Sequence, residues 1–236
     1  MRRELAGLTA SLLLVTGTAG CQWPRDPGGT LEHVRNGVLR VGVTANPPWT
    51  VVQDGAEPAG VEPELVRRLA EQLGARVEWS SGTESTLMPA VRDRTLDLVI
   101  GGLNATAPWT AEASLSTPYI TTRTVVAAPP GVAVPEELDG VRVAVRGGTP
   151  DVAALDGTGA EVVTVAEVTG TTGMPAAVGE WELAALGLAE SDHEIATEAH
   201  VWATPPGENG WQVEVEGFLL DQSDAEVLEL LKEAGR

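Results

Sequence analysis

Short, continuous apolar runs alternate along the chain with longer stretches in which apolar residues recur every three or four positions, and the two patterns predict different elements. Residues 38–43 (VLRVGV) and 96–100 (LDLVI) are runs of the kind that form strands buried on both faces. Between them Leu65, Val66, Leu69, Ala70 and Leu73 keep helical period, and Gly74 closes the helix they predict. Residues 76–79 predict a second strand, and residues 83–91 a further helix leading back to the run at 96–100. Ahead of these, Thr30 is placed to cap a short helix over 31–35 that Asn36-Gly37 ends. This order of strands and helices is that of an α/β fold with a parallel sheet.

The second half repeats the device. Residues 125–128 read as an extended crossover closed by Pro129-Pro130, and residues 138–145 as a turn and buried strand ending at Gly147-Gly148-Thr149. A strand over 161–165, a short one over 176–180 and a helix over 181–188 follow. Residues 198–203 predict a return strand, and residues 211–220 and 225–234 the last helices. Two similar α/β units joined by extended crossovers predict two lobes with a cleft between them. The first lobe is expected over 30–125, the second over 126–198, and the return to the first over 199–236. The crossovers near 125–128 and 196–203 are expected to form the hinge, because strands passing between lobes absorb the rotation.

The N-terminus carries a different pattern. Met1-Arg2-Arg3-Glu4 precedes a stretch of apolar and small residues, too short to span a membrane, that ends Thr18-Ala19-Gly20-Cys21. Residues 1–20 read as a secretory signal. The position of Cys21 resembles a bacterial lipobox, in which the thiol takes a lipid anchor; an ordinary cleaved signal with an incidental cysteine is the alternative. Residues 21–29 (CQWPRDPGG) read as a Pro/Gly tether. Cys21 is the only cysteine, so no internal disulfide and no cysteine-based metal site can form. His33, His193 and His200 lack ligand-like spacing, so neither a metal nor a cofactor is expected. A formal net charge of −19 would repel nucleic acid.

The run at 96–100 stops at Gly101-Gly102, where the backbone can turn sharply and approach another molecule. In open α/β sheets ligands sit beyond the carboxyl ends of the strands, which makes the loop over 101–106 the first candidate for ligand contact, with a plain strand-to-loop turn as the alternative. Taken in order, LRVGV (39–43), Pro47-Pro48-Trp49, GVEPEL (60–65), LDLVIGGL (96–103), STPY (116–119) and the turn and strand over 138–149 resemble one family. That family is the bacterial extracellular solute-binding proteins, family 3, the receptors of polar amino-acid ABC importers. The resemblance implies a two-lobed clamp of the type II periplasmic-binding-protein kind, with two parallel or mixed sheets. It also implies a monomer held outside the cytoplasm, lipid-anchored through Cys21, that closes on a small solute, docks on a membrane permease and catalyses nothing.

Departures from the family are informative. Its amino-acid binders carry an Arg three residues after the Thr of the central loop, clamping the ligand's α-carboxylate. Here Thr106 is followed by Ala107-Pro108-Trp109, and an indole cannot take a bidentate carboxylate. Asn46 stands where an aromatic usually precedes the Pro-Pro pair, and Glu84 where another aromatic is common. In the second lobe Gly147, Gly148 and Thr149 keep a backbone and hydroxyl cradle, and Glu180 sits about where the family places an acid for the ligand's amine. Residues 168–175 (VTGTTGMP) replace a helix and shorten that lobe.

The resemblance thus implies ligand contacts from Asn46, Trp49, Glu84, Gly102, Leu103, Asn104, Thr106, Trp109, Gly147, Gly148, Thr149 and Glu180. Plainer readings stand beside these: Trp49 and Trp109 as core, Glu84 and Glu180 as acids favoured near helix starts, Thr106 and Thr149 as local caps. Tyr119, Trp181, Trp202 and Trp211 read as packing residues. An aromatic, acidic cleft lacking the guanidinium suits a cationic or amine-bearing solute. Two other functions compete. A dehydratase-like enzyme of the same fold would use a cleft carboxylate, but only Glu84 and Glu180 offer one, with no Ser-His-Asp or Cys-His set. The other is a sensor acting through a partner protein.

Overall fold

The structure, a computed structural model, describes residues 25–171 and 173–235; the expected signal over 1–20 and the lipidation site Cys21 lie outside the described residues. α1 (Thr30–Val34) leads into β1 (Val38–Val43). α2 (Val61–Leu73), β2 (Arg76–Ser81), α3 (Glu84–Arg92) and β3 (Leu98–Ile100) follow. Leu65, Val66, Leu69, Ala70 and Leu73 form the buried face of α2, and Gly74 ends it in the left-handed conformation, φ 65°. β1 pairs in parallel with both β2 and β3. β4 (Ser114–Leu115) and β10 (Ala203–Thr204) complete the sheet in antiparallel sense, in the order β2-β1-β3-β10-β4.

The second sheet is built from β5 (Ile120–Ala128), β6 (Arg142–Arg146), β7 (Glu161–Val165), β8 (Ala176–Gly179) and β9 (Ala189–His200), in the order β7-β6-β8-β5-β9. β6 runs parallel to β7 and β8, and β5 antiparallel to β8 and β9. Between them lie α4 (Asp151–Asp156) and, after a 3₁₀ turn over Glu180–Glu182, α5 (Leu183–Leu186). No helix forms between Val168 and Pro175 among the described residues, which leaves this lobe short. α6 (Asn209–Leu220) and α7 (Asp224–Ala234) return to the first lobe, where Trp211, Phe218, Val227 and Leu231 join the core of Leu39, Val41, Leu65 and Trp202. The second lobe's core is smaller-grained, mainly Val and Ala with Leu138, Leu155 and Leu188. Two mixed sheets with helices make this a bilobed α/β fold.

Two strands are longer than their apolar runs. β5 begins at Ile120 because Thr122 and Thr124 alternate inward, and β-branched threonine suits a pleated, half-buried surface. β9 is an edge strand pairing with β5, and its ESDHE stretch is polar because charge protects an open edge. The lobe boundary therefore falls at 116–120, not at 125/126. Residues 125–128 are buried inside the second sheet, paired with β8 on one side and β9 on the other, so they are not a crossover. The chain passes between the sheets at 116–120 and 200–203, where Ser116 N–H donates to Trp202 O (2.8 Å) and Tyr119 N–H to His200 O (3.0 Å).

The expected tether also changes extent. Gly210 N–H donates to Arg25 O (3.1 Å), and the Asp26 carboxylate accepts from Leu31 N–H (2.7 Å) and Trp211 N–H (3.3 Å). Thr30 does not cap α1 but is its first residue; its hydroxyl and the Gly28 N–H both donate to the buried Glu208, at 3.1 and 2.9 Å. Residues 25–29 are therefore tied to the first lobe.

Candidate functional site

The carboxyl ends of β1 and β3 open into a cleft of about 430 Å³ walled by both lobes. Its floor is the Gly101-Gly102 turn. Glu62, in the first turn of α2, is fully buried; its Oε2 accepts both turn N–H groups at 2.8 Å, while Oε1 accepts from the Tyr119 hydroxyl (2.8 Å) and Trp202 Nε1 (3.2 Å). Burial pushes this carboxyl upward, and the four donors oppose the shift. Gly102 has φ +63°, and a Cβ there would stand 2.5 Å from Asn46 Nδ2 and 2.8 Å from the Trp49 ring. The close approach that requires glycine is thus to the chain's own cleft wall.

From the first lobe, Asn46, Trp49, Glu84, Gly102, Leu103, Asn104 and Thr106 line the cleft, and from the second, Thr149. Asn46 Nδ2 donates to Gly101 O (2.9 Å), and Thr106 N–H and hydroxyl donate to Asn104 Oδ1 (3.1 and 2.7 Å), which knits the loop locally. The Thr149 hydroxyl donates to Arg146 O (2.9 Å). Trp49 is buried with its ring 3.8 Å from that of His200 and edge-on to Trp181 at 6.2 Å. His200 is itself buried, bonded to the Thr122 hydroxyl (2.9 Å); burial pulls its imidazole down to about 4, against a weaker opposing pull from the Gly102 backbone.

Four expected contacts are not part of the lining. Trp109 packs behind the wall, beside the cluster of Leu87, Met88, Val91 and Leu103, and its Nε1 donates to the Glu84 carboxylate. Gly147 and Gly148 lie outside the cleft. Glu180 does not face the ligand space, because Arg123 engages its carboxylate through Nη2 at 2.8 Å and Nε at 3.0 Å.

The acids of the second wall are others: Asp151 at the start of α4, Glu182 in the 3₁₀ turn and Glu198 on β9. Glu182 accepts from Arg146 Nη2 (3.0 Å) and Gly179 N–H (3.0 Å). Burial pushes Asp151 upward; Thr124, Thr149 and Arg146 oppose this, and the Glu182 charge adds to it. Burial also raises Glu198, with the Asp151 charge adding to the effect. Among the described residues the lining thus holds four carboxylates, Glu84, Asp151, Glu182 and Glu198, against the single guanidinium of Arg146. Trp181, expected as packing, is the second aromatic of the wall. These groups gave no sequence signal because they sit on polar turns and an edge strand without apolar periodicity. Another hollow, of about 630 Å³, lies between residues 128–136 and 189–193, but it belongs to the second lobe alone, so filling it would not draw the lobes together.

Residues 39–234 match the family described as bacterial extracellular solute-binding proteins, family 3. The membrane-bound lytic murein transglycosylase F of Vibrio cholerae is 39% identical over 97 residues, which is 40% of this chain and 17% of that protein. The chain therefore spans well under a fifth of that relative's length. Among solved structures, an ancestral cationic amino acid solute binding protein superposes with a TM-score of 0.71 at 21% identity, covering 86% of this chain and 97% of that one. The L-cystine solute receptor of Neisseria gonorrhoeae, in its unliganded open conformation, superposes with a TM-score of 0.64 at 18% identity, covering 87% and 94%. At these identities the likeness is one of fold.

Proposed function

The chain belongs to the bacterial extracellular solute-binding proteins, family 3, and from that premise we propose that it captures a small polar solute, amino-acid-like or amine-bearing, by closing its lobes over the cleft. The bound form would then dock on the permease of an ABC importer. One observation carries this reading: both walls of the cleft supply polar and aromatic groups, while the chain passes between the lobes at 116–120 and 200–203. A solute touching both walls favours the closed form by its differential affinity. That two structural neighbours are named for amino-acid ligands supports an amine-bearing solute. The dehydratase-like alternative would use one of the cleft carboxylates, and a turnover assay beside the binding screen separates it from capture alone.

A thermal-shift screen against a solute library is the direct test, since a ligand at about 100 times its Kd stabilises the fold by about 2.7 kcal/mol. Small-angle scattering at saturation should show compaction. A library with no stabilising member, together with an unchanged scattering profile, would remove the reading. The likeness to transglycosylase F supports a second one, a recognition domain serving murein chemistry, so murein peptides belong in the same library.

The family is extracellular, and among the described residues no helix is long and apolar enough to cross a membrane. We propose anchoring through a lipid on Cys21. Cys21→Ser should move the protein from membrane to soluble fractions, and a variant that stays on the membrane would refute the anchor.

A further inference from the structure

We propose that the solute carries a cationic nitrogen, a primary ammonium or guanidinium, seated between Asp151 and Glu198 of the second lobe, and that it needs no carboxylate. This rests on the solute-binding reading above and names the chemistry of the same cleft. Asp151 begins α4, Glu198 lies on β9, and both border the cleft together with Thr124 of the intervening β5. They are near enough that the charge of one disfavours ionisation of the other. The guanidinium beside Asp151, that of Arg146, is already engaged by Glu182 at 3.0 Å. Arg123 is spent on Glu180 at 2.8 Å and Glu190 at 3.0 Å. The Glu198 carboxylate has no hydrogen-bond or ion-pair partner among the described residues.

Of these two half-buried carboxylates Asp151 feels only the shared charge of Arg146 and Glu198 has no positive neighbour, so a cation that donates to both supplies the missing counter-charge. The opposite wall continues the preference. Glu84 is held toward the cleft by Trp109, and the Trp49 and Trp181 rings border the same space. Among the described residues of the first lobe no arginine lines the cleft, so a solute carboxylate would meet Glu84 there without a partner.

The groups facing the pair are Glu182, Arg146, Thr124 and Thr149 around Asp151, and Asp151 beside Glu198. Burial and like charge hold both carboxyls upward, and a cation between them reverses this, so binding releases protons in the acidic range.

Calorimetry on the full folded chain tests the proposal with three probes: agmatine, which has a guanidinium and an amine but no carboxylate, arginine, and glutamate. Agmatine should bind at least as well as glutamate, and Asp151→Asn and Glu198→Gln should each weaken agmatine by about 10- to 100-fold, the range for a charge-assisted contact. Heats measured at pH 5 in buffers of different ionisation enthalpy should show proton release that both variants diminish. Melting curves without probe show whether each variant is folded, and the near-isosteric Glu198→Gln serves alone if Asp151→Asn is not. Tighter binding of glutamate, or agmatine affinity unchanged in both folded variants, overturns the inference. If none of the probes binds while a neutral or acidic library solute still compacts the chain, the cation inference falls and the solute-binding reading stands. If no library solute binds, both fall.

Discussion

Replacing Glu62 by alanine should cost about 3–5 kcal/mol of stability, since each buried donor left unsatisfied costs about 1–3 kcal/mol and part of that is regained by water. Four donors converge on this one carboxylate: the N–H groups of Gly101 and Gly102, the Tyr119 hydroxyl and Trp202 Nε1. The loss is a large share of the ~5–15 kcal/mol that holds a typical domain together. It should also reach the cleft, because the turn that places Gly102 against Asn46 and Trp49 loses its anchor. Glu62→Gln keeps the shape and one acceptor but turns an amide donor toward other donors, so it should recover only part of the loss. Urea unfolding midpoints with unchanged m-values measure the effect. Wild-type stability in Glu62→Ala would mean that these donors do not depend on the carboxylate.

The second large effect is a dependence on pH carried by His200. Its imidazole is pulled down to about 4 from its ordinary value of 6.5, because the ring is buried at the end of β9 against Trp49. The unfolded chain takes up a proton on this side chain as pH falls through 6.5, and the native chain does so only near 4. Between those values the unfolded state binds more protons, so stability falls as pH falls. The contribution is fully present above pH 6.5 and is lost on the way down to about 4, amounting to roughly 3 kcal/mol at about 1.36 kcal/mol per unit. Comparing His200→Gln with the wild type at pH 7 and pH 4.5 isolates this from the carboxyls, since Glu62, Asp151 and Glu198 are raised and carry the opposite slope. The variant should lose less stability on acidification than the wild type. Parallel stability-versus-pH curves would refute the role. Because Trp49 stacks on this ring at the point where the chain passes between lobes, acidification should loosen the cleft wall before the outlying helices.

Local pattern by itself determined the framework. The apolar runs that became β1 and β3, the helical period and terminal Gly74 of α2, and the two α/β units were legible because burial on both faces imposes uninterrupted apolarity or a 3.6-residue period on neighbouring positions. The Gly101-Gly102 turn was legible for the same reason, since a sharp, close-packed turn demands glycine locally. Tertiary structure alone decided which way the polar side chains face. Glu180 stands 57 positions from the Arg123 that turns it away from the cleft, Trp109 stands 25 from Glu84, and Glu62 meets Trp202 across 140 residues. Asp151 and Glu198 come together only when β9 pairs beside β5 and α4 packs against β9. A charged side chain settles where desolvation is repaid by a partner, and that partner is set by sheet order rather than by neighbours in sequence. The framework is therefore written in the periodicity of the chain, and the chemistry of its cleft in the packing of the two sheets.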